Sequence, residues 1–461
     1  MANWTYSDLY NFRVKLFSNW QYEFERWDKF DYSALCWVMY KHKNGRGKND
    51  SFNDCIIMAD TETSKSGIDG VSDNHIVAWT ISIRAFDCNI CTLWGVKPSD
   101  FCKCVDKILE QFEGDITYLY FHNLSYDYMF LRKFMFNAWG FPAKQLNTKP
   151  HMPLTITFNN GLVIKDSLLL AQRSLDRWAK DMQVAHQKAK GKWDYDKIRH
   201  QNNVQYSTDE LEYIEHDTLA GVECIQAYLD TLNKNISTIP LTATGIPREA
   251  VRKIGKENRA KDRFLRQVLS YEQQERMEKI FHGGYTHANR FYIDTLIDEN
   301  VTCYDFASSY PYVLIAYKYP MERFTEFKKQ CSMDEILNLV DKYAFTFKLI
   351  LLGVDLKDDV DMPALQYSKC VKTVNAVGDN GRILSADYVE IYLNEVDLCV
   401  ISEQYHIDKH ICMDVEFAEK GYLPLWLTDY IFSLFKDKTL LKGGDKIAYA
   451  LAKAKLNSVY G

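Results

Sequence analysis

The chain has 461 residues, 47% of them hydrophobic and 14% aromatic, with 21 glycines, 10 prolines and a formal charge of −6. That length predicts two or three domains, and the composition excludes disordered, fibrous and collagen-like chains. The acidic balance excludes a uniformly basic nucleic-acid coat, though not a locally basic groove beside acidic residues that hold metal ions.

The first 54 residues, an N-terminal extension, mix aromatic and charged residues and close in KHKNGRGKND, whose Gly, Asn and Lys content predicts an exposed turn. Met1 to Trp20 has no signal-peptide core, and no apolar run has the length of a bilayer span, so a cytosolic chain without membrane contact is expected. From Asp54 the pattern becomes strand-like, through CIIMAD, HIVAWTISIRAF, CTLWGV and ITYLYFHN. Twelve cysteines without a signal read as reduced thiols. Cys88, Cys91, Cys102 and Cys104 loosely imitate zinc spacing, but the second pair sits too close for the usual knuckle, and small thiols near a hairpin are the plainer expectation. Helical periodicity follows over Tyr128–Ala138, Leu175–Val184 and Asp209–Asn233, so residues 55–240 predict a mixed α/β domain. ISTIPLTATGIPREAVRK marks a boundary near residue 240. A second domain, residues 241–461, then offers strands at YTHANRFYID and VTCYDFA and a helix at DKIAYALAKAKLNSVYG.

Asp60 and Glu62 sit two apart at the end of an apolar strand and so project from one face. Asn123, Tyr126 and Asp127 follow another such strand, and Tyr213 and Asp217 lie four apart on a helix. Each carboxylate alone has an ordinary role, as a strand-end cap, a helix cap or a solvated face. Together they offer hard oxygen ligands for two divalent ions, Mg²⁺ or Mn²⁺, as phosphodiester hydrolysis requires, with Tyr213 placed to orient water. In this order they resemble DxE, Nx2(F/Y)D and YxxxD, the motifs of proofreading 3′ to 5′ exonucleases built on a ribonuclease-H-like sheet. The resemblance implies that Asp60, Glu62, Asp127 and Asp217 are metal ligands. It also implies that Thr63, Asn123 and Tyr126 hold a single strand. KDSLLL resembles the (S/T)Lx2h motif at Ser167 and Leu168, also strand contacts, and KGKWDY resembles the catalytic-lysine segment of protein-primed members, pointing to Lys190.

VTCYDFASSYPYVL resembles the DxxSLYP motif of family B DNA polymerases, with Ser309 in place of Leu. That resemblance implies metal binding by Asp305 and the Phe306 carbonyl, a strand contact at Ser308, and Tyr310 beneath the incoming sugar, which selects deoxynucleotides. KAKLNSVYG matches Kx3NSxYG without substitution through Lys453, Asn457, Ser458, Tyr460 and Gly461, implying that Lys453, Asn457 and Tyr460 meet the incoming nucleotide. IFHGGYTH resembles YxGG, with Phe281 for Tyr and with Gly283 and Gly284 against a template strand. The interval about 328–423 fits the insertion that, in protein-primed members, contacts the terminal protein. Its acidic run LKDDVDMP reads as a solvated loop.

The expected architecture is thus a ribonuclease-H-like exonuclease domain followed by a partial palm and fingers. The expected partners are primer-template and single-stranded DNA, deoxynucleoside triphosphates and a terminal protein, in a host cytoplasm if the source is viral. The DTD motif that supplies a further palm carboxylate in this family does not occur in the sequence. A second polypeptide supplying it is one expectation. A stand-alone exonuclease and a docking platform for a terminal protein are the others.

Overall fold

The structure is a computed structural model that describes residues 6–38, 41–43, 51–65, 74–112, 114–187, 193–194, 197–202, 204–444 and 446–459. Two units divide the chain. Met1–Glu249 and Lys436–Val459 form one, and Ala250–Phe435 forms the other.

An eight-stranded mixed sheet organises the first unit, in the order Glu23–Arg26, Cys88–Gly95, Asn74–Ala85, Ile56–Lys65, Thr117–Phe121, Leu162–Asp166, Met152–Thr157 and Lys144–Lys149. Ile56–Lys65 lies antiparallel to Asn74–Ala85 and parallel to Thr117–Phe121, which is itself parallel to Leu162–Asp166. Both faces of these central strands are covered, so their sequences are near-continuously apolar. On one face Ile57 and Ala59 join Phe101, Leu124 and Leu131 from helices Pro98–Glu110 and Leu124–Trp139. On the other, Ile56 and Met58 join Trp178 from helix Leu175–Met182 and Val222 and Tyr228 from the long helix Thr208–Leu232.

Local signals fix the long helix at both ends. Ser207 and Glu210 form a reciprocal capping box at its start, and Asn233 takes the left-handed conformation (φ 49°) at its end. Gly221 lets it approach the sheet closely, since a Cβ there would collide with the Met58 thioether.

Two sequence expectations change here. The N-terminal extension is part of the fold: Glu23–Arg26 forms an edge strand, and Phe17, Phe30, Tyr32 and Leu35 enter the core. Residues 44–50 of the expected exposed turn lie outside the described residues. Lys436–Val459, expected with the second domain, belongs to the first unit because Leu451, on helix Lys446–Asn457, is buried in the Trp178–Tyr228 core. Cys91, Cys102 and Cys104 are core thiols; burial pushes the Cys102 and Cys104 thiols up to about 12, and the Tyr32 hydroxyl donates to Cys104 Sγ at 3.3 Å.

An antiparallel sheet dominates the second unit. Its path runs Lys318–Pro320, Tyr405–Tyr422, Tyr343–Leu356, Arg382–Asn394, Cys370–Val374, with Thr325–Cys331 also paired to Tyr405–Tyr422. Alternating Phe345, Phe347, Leu349 and Leu351 pack with Ile391 and Leu393 against helix Glu395–Gln404. This sheet occupies most of the expected insertion, and within it Asp358 and Asp359 are exposed as the acidic loop predicts. The strands expected at Tyr285–Asp294 and Val301–Ala307 do not form. Apart from a 3-10 turn at Arg290–Tyr292, both segments are coil, and no described strand pairs with them. An extended segment without a ladder partner has no sheet to bury its side chains, so Val301, Tyr304 and Phe306 are 75%, 90% and 85% exposed.

Candidate active site

Alternation along Ile56–Lys65 decides which residues meet. Asp60 and Glu62 continue the row of Ile56 and Met58, the row that faces the long helix, and there they meet Asp217. Ligand oxygens of Asp60, Glu62 and Asp217 lie within 4.8 Å of one another, with Glu62 and Asp217 buried and Asp60 half-buried. Ionised carboxylates about 5 Å apart repel by roughly 3 kcal/mol per pair at an effective dielectric of about 20. Such a trio fits a divalent cation, whose charge and preference for hard oxygen offset that repulsion.

Asp127 is not among the three carboxylates whose oxygens lie within 4.8 Å of one another. It meets the same strand at Thr61, whose Oγ1 donates to its Oδ1 at 2.6 Å. Burial pushes its carboxyl up to about 7; Asp166 adds to the rise and the Thr61 hydrogen bond opposes it. Asp166 is a residue that motif reading missed. It is 4% exposed and its Oδ1 accepts from the backbone N–H of Leu168 at 2.7 Å and of Asn123 at 3.2 Å, joining two loop starts to one carboxylate. An acidic residue at the end of the apolar strand LVIKD was the available signal.

An exposed aromatic face adjoins these carboxylates. Asn123 holds a left-handed backbone (φ 81°) before helix Leu124–Trp139, a conformation Asn tolerates, and it presents Tyr126 outward at 44% exposure. The Tyr126 hydroxyl is 2.7 Å from Thr63 Oγ1, and its ring packs edge-on to Phe130 at 5.2 Å. Thr63 and Tyr126 are therefore in contact, with Asn123 at the start of the helix that carries Tyr126. Ser167 differs: fully buried, it donates to the Phe121 carbonyl at 3.0 Å and contacts His122 Nδ1 at 3.0 Å, so its side chain secures the strand ends instead of facing a ligand. Leu168 beside it is half-buried.

Tyr213 sits one turn before Asp217, 4% exposed, with its ring stacked 5.9 Å from Trp193. Residues 197–199 run beside this end of the strand, where Arg199 N donates to Ser64 Oγ at 3.0 Å. Lys190 lies outside the described residues. So do Tyr460 and Gly461.

The remaining expected residues fall on different units. Asp305 and Phe306 lie on the second unit's coil, Ser308 (φ 60°) precedes helix Ser309–Ala316 with Tyr310, and exposed Gly283 and Gly284 stand in another coil stretch. Lys453 and Asn457 are exposed on helix Lys446–Asn457, in the first unit. That helix does place Lys453 and Asn457 one turn apart on one side, as the spacing predicts.

Comparison with known proteins adds the following. The family described as DNA polymerase type B, organellar and viral, matches residues 108–238 and 201–461. The DNA polymerases of Bacillus phages Nf and M2 are each 27% identical over 362 residues, which cover 74% of this chain and 58% of theirs. The chain thus spans 58% of the length of these curated relatives. A structure of Phi29 DNA polymerase complexed with single-stranded DNA superimposes with a TM-score of 0.65 at 18% identity, over 88% of this chain and 67% of that one. The same polymerase with primer-template DNA gives 0.65 at 19% identity, with the same coverage. At these identities the likeness is one of fold.

Proposed function

The chain belongs to the type B DNA polymerases of organelles and viruses, and on that premise we propose that it acts in viral DNA replication as a DNA-directed DNA polymerase with 3′ to 5′ proofreading exonuclease activity. The observation that carries the nuclease half is the Asp60, Glu62 and Asp217 trio beside the exposed Tyr126. Mg²⁺ or Mn²⁺ held by that trio supplies the Lewis acidity that phosphodiester hydrolysis requires.

The chain's own residues then do the positioning. Tyr126, steadied by Thr63 and Phe130, stacks on the terminal base. Asn123 contacts the strand beside it, and Tyr213 orients the attacking water through its hydroxyl. Asp127 supports the site from the Thr61 side, and Lys190 supplies a cation to the scissile phosphate. For synthesis, Asp305 and the Phe306 carbonyl hold the palm metals, and Ser308 and the Gly283–Gly284 backbone meet the DNA. Tyr310, Lys453, Asn457 and Tyr460 receive the incoming deoxynucleotide. The names of the phage relatives, and of the Phi29 complexes with primer-template and single-stranded DNA, support DNA as a partner. Priming by a terminal protein docked on the sheet of the second unit belongs to the same proposal.

A labelled primer-template incubated with Mg²⁺, or with Mn²⁺, tests it. Wild type should degrade the 3′ end, the Asp60→Ala, Glu62→Ala double variant should not, and Asp305→Ala should lose extension alone. A wild type without nuclease activity in either metal refutes the assignment of the trio.

A further inference from the structure

Residues 250–269, at the start of the second unit, concentrate positive charge in a chain whose formal charge is −6. Seven cations stand there against Glu257 and Asp262, a net +5. On helix Gly245–Glu257 the spacing of Arg252, Lys253 and Lys256 gathers three exposed cations on one side, while Val251, Ile254 and Gly255, half-buried or buried, take the other. Helix Lys261–Arg266 adds Lys261, Arg263 and Arg266, all exposed. Among the described residues none of the seven forms an ion pair, whereas Arg276, next along the chain, is paired with Glu416 at 3.3 Å. Arg259 joins the two helices in a left-handed backbone (φ 54°), where its own N–H donates to the Lys256 carbonyl at 3.1 Å and the Ala260 N–H to the Gly255 carbonyl at 2.8 Å. Gly or Asn serves that conformation with less strain, so folding does not account for a guanidinium at this position.

We propose that this basic face binds the backbone of duplex DNA, independently of sequence and without need of a strand end. Duplex DNA presents one charge about every 1.7 Å along its axis, a series of anions that a row of guanidinium and ammonium groups matches. A protein partner would call for an apolar centre ringed by polar groups, and the side of Arg252, Lys253 and Lys256 has none. A free nucleotide would call for an enclosing pocket, whereas these three groups stand open. The far end of the row is weaker: Arg263 and Arg266 line a cavity of about 670 Å³ with Arg323, and Glu322 and Glu419 share that wall. The contact therefore centres on Arg252, Lys253, Lys256 and Arg259. No motif pointed to these residues, and the first two close the stretch that the sequence marks only as a domain boundary. The choice of DNA over another polyanion rests on the replication reading.

Filter binding of a relaxed, covalently closed duplex plasmid to the full chain, in chelator and over a series of NaCl concentrations, provides the test. That probe has no 3′ end and no single strand, so neither degradation nor extension enters, and a chain inactive in both would still bind it. For wild type, log affinity should fall against log salt with a slope of roughly −4, about one for each of the four cations. Arg252→Ala, Lys253→Ala, Lys256→Ala together should make the slope shallower by about 3, and Arg259→Gly by about 1. Arg252→Lys, Lys253→Arg, Lys256→Arg together should keep the wild-type slope. Arg259→Gly should also keep or raise the urea midpoint, a combination of lost affinity and retained stability that a structural role does not produce, and it carries the test if the triple alanine variant fails to fold. An unchanged slope in the neutralised variants overturns the surface, as does a wild type that does not bind the plasmid. Neutralised variants that keep the plasmid and lose a closed single-stranded circle overturn the assignment to duplex.

Discussion

Replacing Asp127 by Asn should stabilise the first unit at neutral and alkaline pH while impairing the nuclease. The carboxyl is 2% exposed, and burial pushes it from an ordinary 3.8 up to about 7. The folded chain therefore keeps a proton that the unfolded chain releases across that window, so stability falls as pH rises from about 4 to about 7. At about 1.4 kcal/mol per unit, the full span amounts to roughly 4 kcal/mol by pH 8 as an upper value. Asn has the same size, still accepts from Thr61, and never ionises. Its advantage should be near zero at about pH 4, about 2 kcal/mol at pH 5.5 and about 2–4 kcal/mol at pH 8. Hydrogen exchange of the amides of helix Leu124–Trp139, corrected for intrinsic rates, reads this directly, since about 1.4 kcal/mol slows exchange tenfold. The measurement belongs in chelator, because a bound cation would favour the carboxylate. A difference independent of pH, or an Asn variant less stable at pH 8, would mean that the ionised carboxylate is well satisfied in the fold, and the burial argument would be wrong.

Asp217→Asn should lower single-strand degradation by more than about 100-fold and raise the Mg²⁺ concentration needed, since even supporting residues of metal sites cost about 10–100-fold; a metal titration of nuclease rate checks both. Tyr126→Ala should weaken single-strand affinity by about 1–3 kcal/mol, the worth of one stacked base, whereas Tyr126→Phe should cost less, as fluorescence anisotropy with a labelled oligonucleotide would show. The pair of His186 and Glu223, 2.7 Å apart, sets a pH window. Burial alone would raise Glu223, but hydrogen bonds from His186 and Asn89 outweigh it and hold it at about 2, and the Glu223 hydrogen bond raises His186. Glu223→Gln should therefore cost about 1–3 kcal/mol between roughly pH 4.5 and 6.5, and less on either side as Glu223 protonates or His186 loses its proton, read from urea midpoints across pH. Gly221→Val should cost about 1–3 kcal/mol through collision with Met58, an effect that Met58→Ala should partly relieve in the double variant.

The central strands were legible because burial on both faces leaves an apolar run that ends in acids, and Asp60 and Glu62 share a face by period alone. Thr61 lies between them, and Asp127, matched by its motif, is met there by the Thr61 hydroxyl, a contact that spacing did not announce. Spacing says which side of its own element a residue takes and nothing about the row it will meet. Ser167 shows a similar limit: its motif is intact, yet the hydroxyl closes the ends of two strands. Tyr285–Asp294 and Val301–Ala307 carry strand-forming residues, but a strand exists only with a neighbour, and that is a property of the assembled sheet. The antiparallel sheet over the insertion left no trusted mark in sequence because its long strands bend through irregular registers, as between Thr346 and Lys348.

Leu451 fills the Trp178–Tyr228 layer from a helix that emerges long after the rest of that layer has been made. At about 5–20 residues per second, the ribosome takes on the order of 10–40 s to translate residues 250–435. For that interval the first unit lacks the helix whose Leu451 packs beside Trp178. The late helix is thus a closing piece, and the Trp178 layer of the first unit is filled only when the segment bearing Lys453 has arrived.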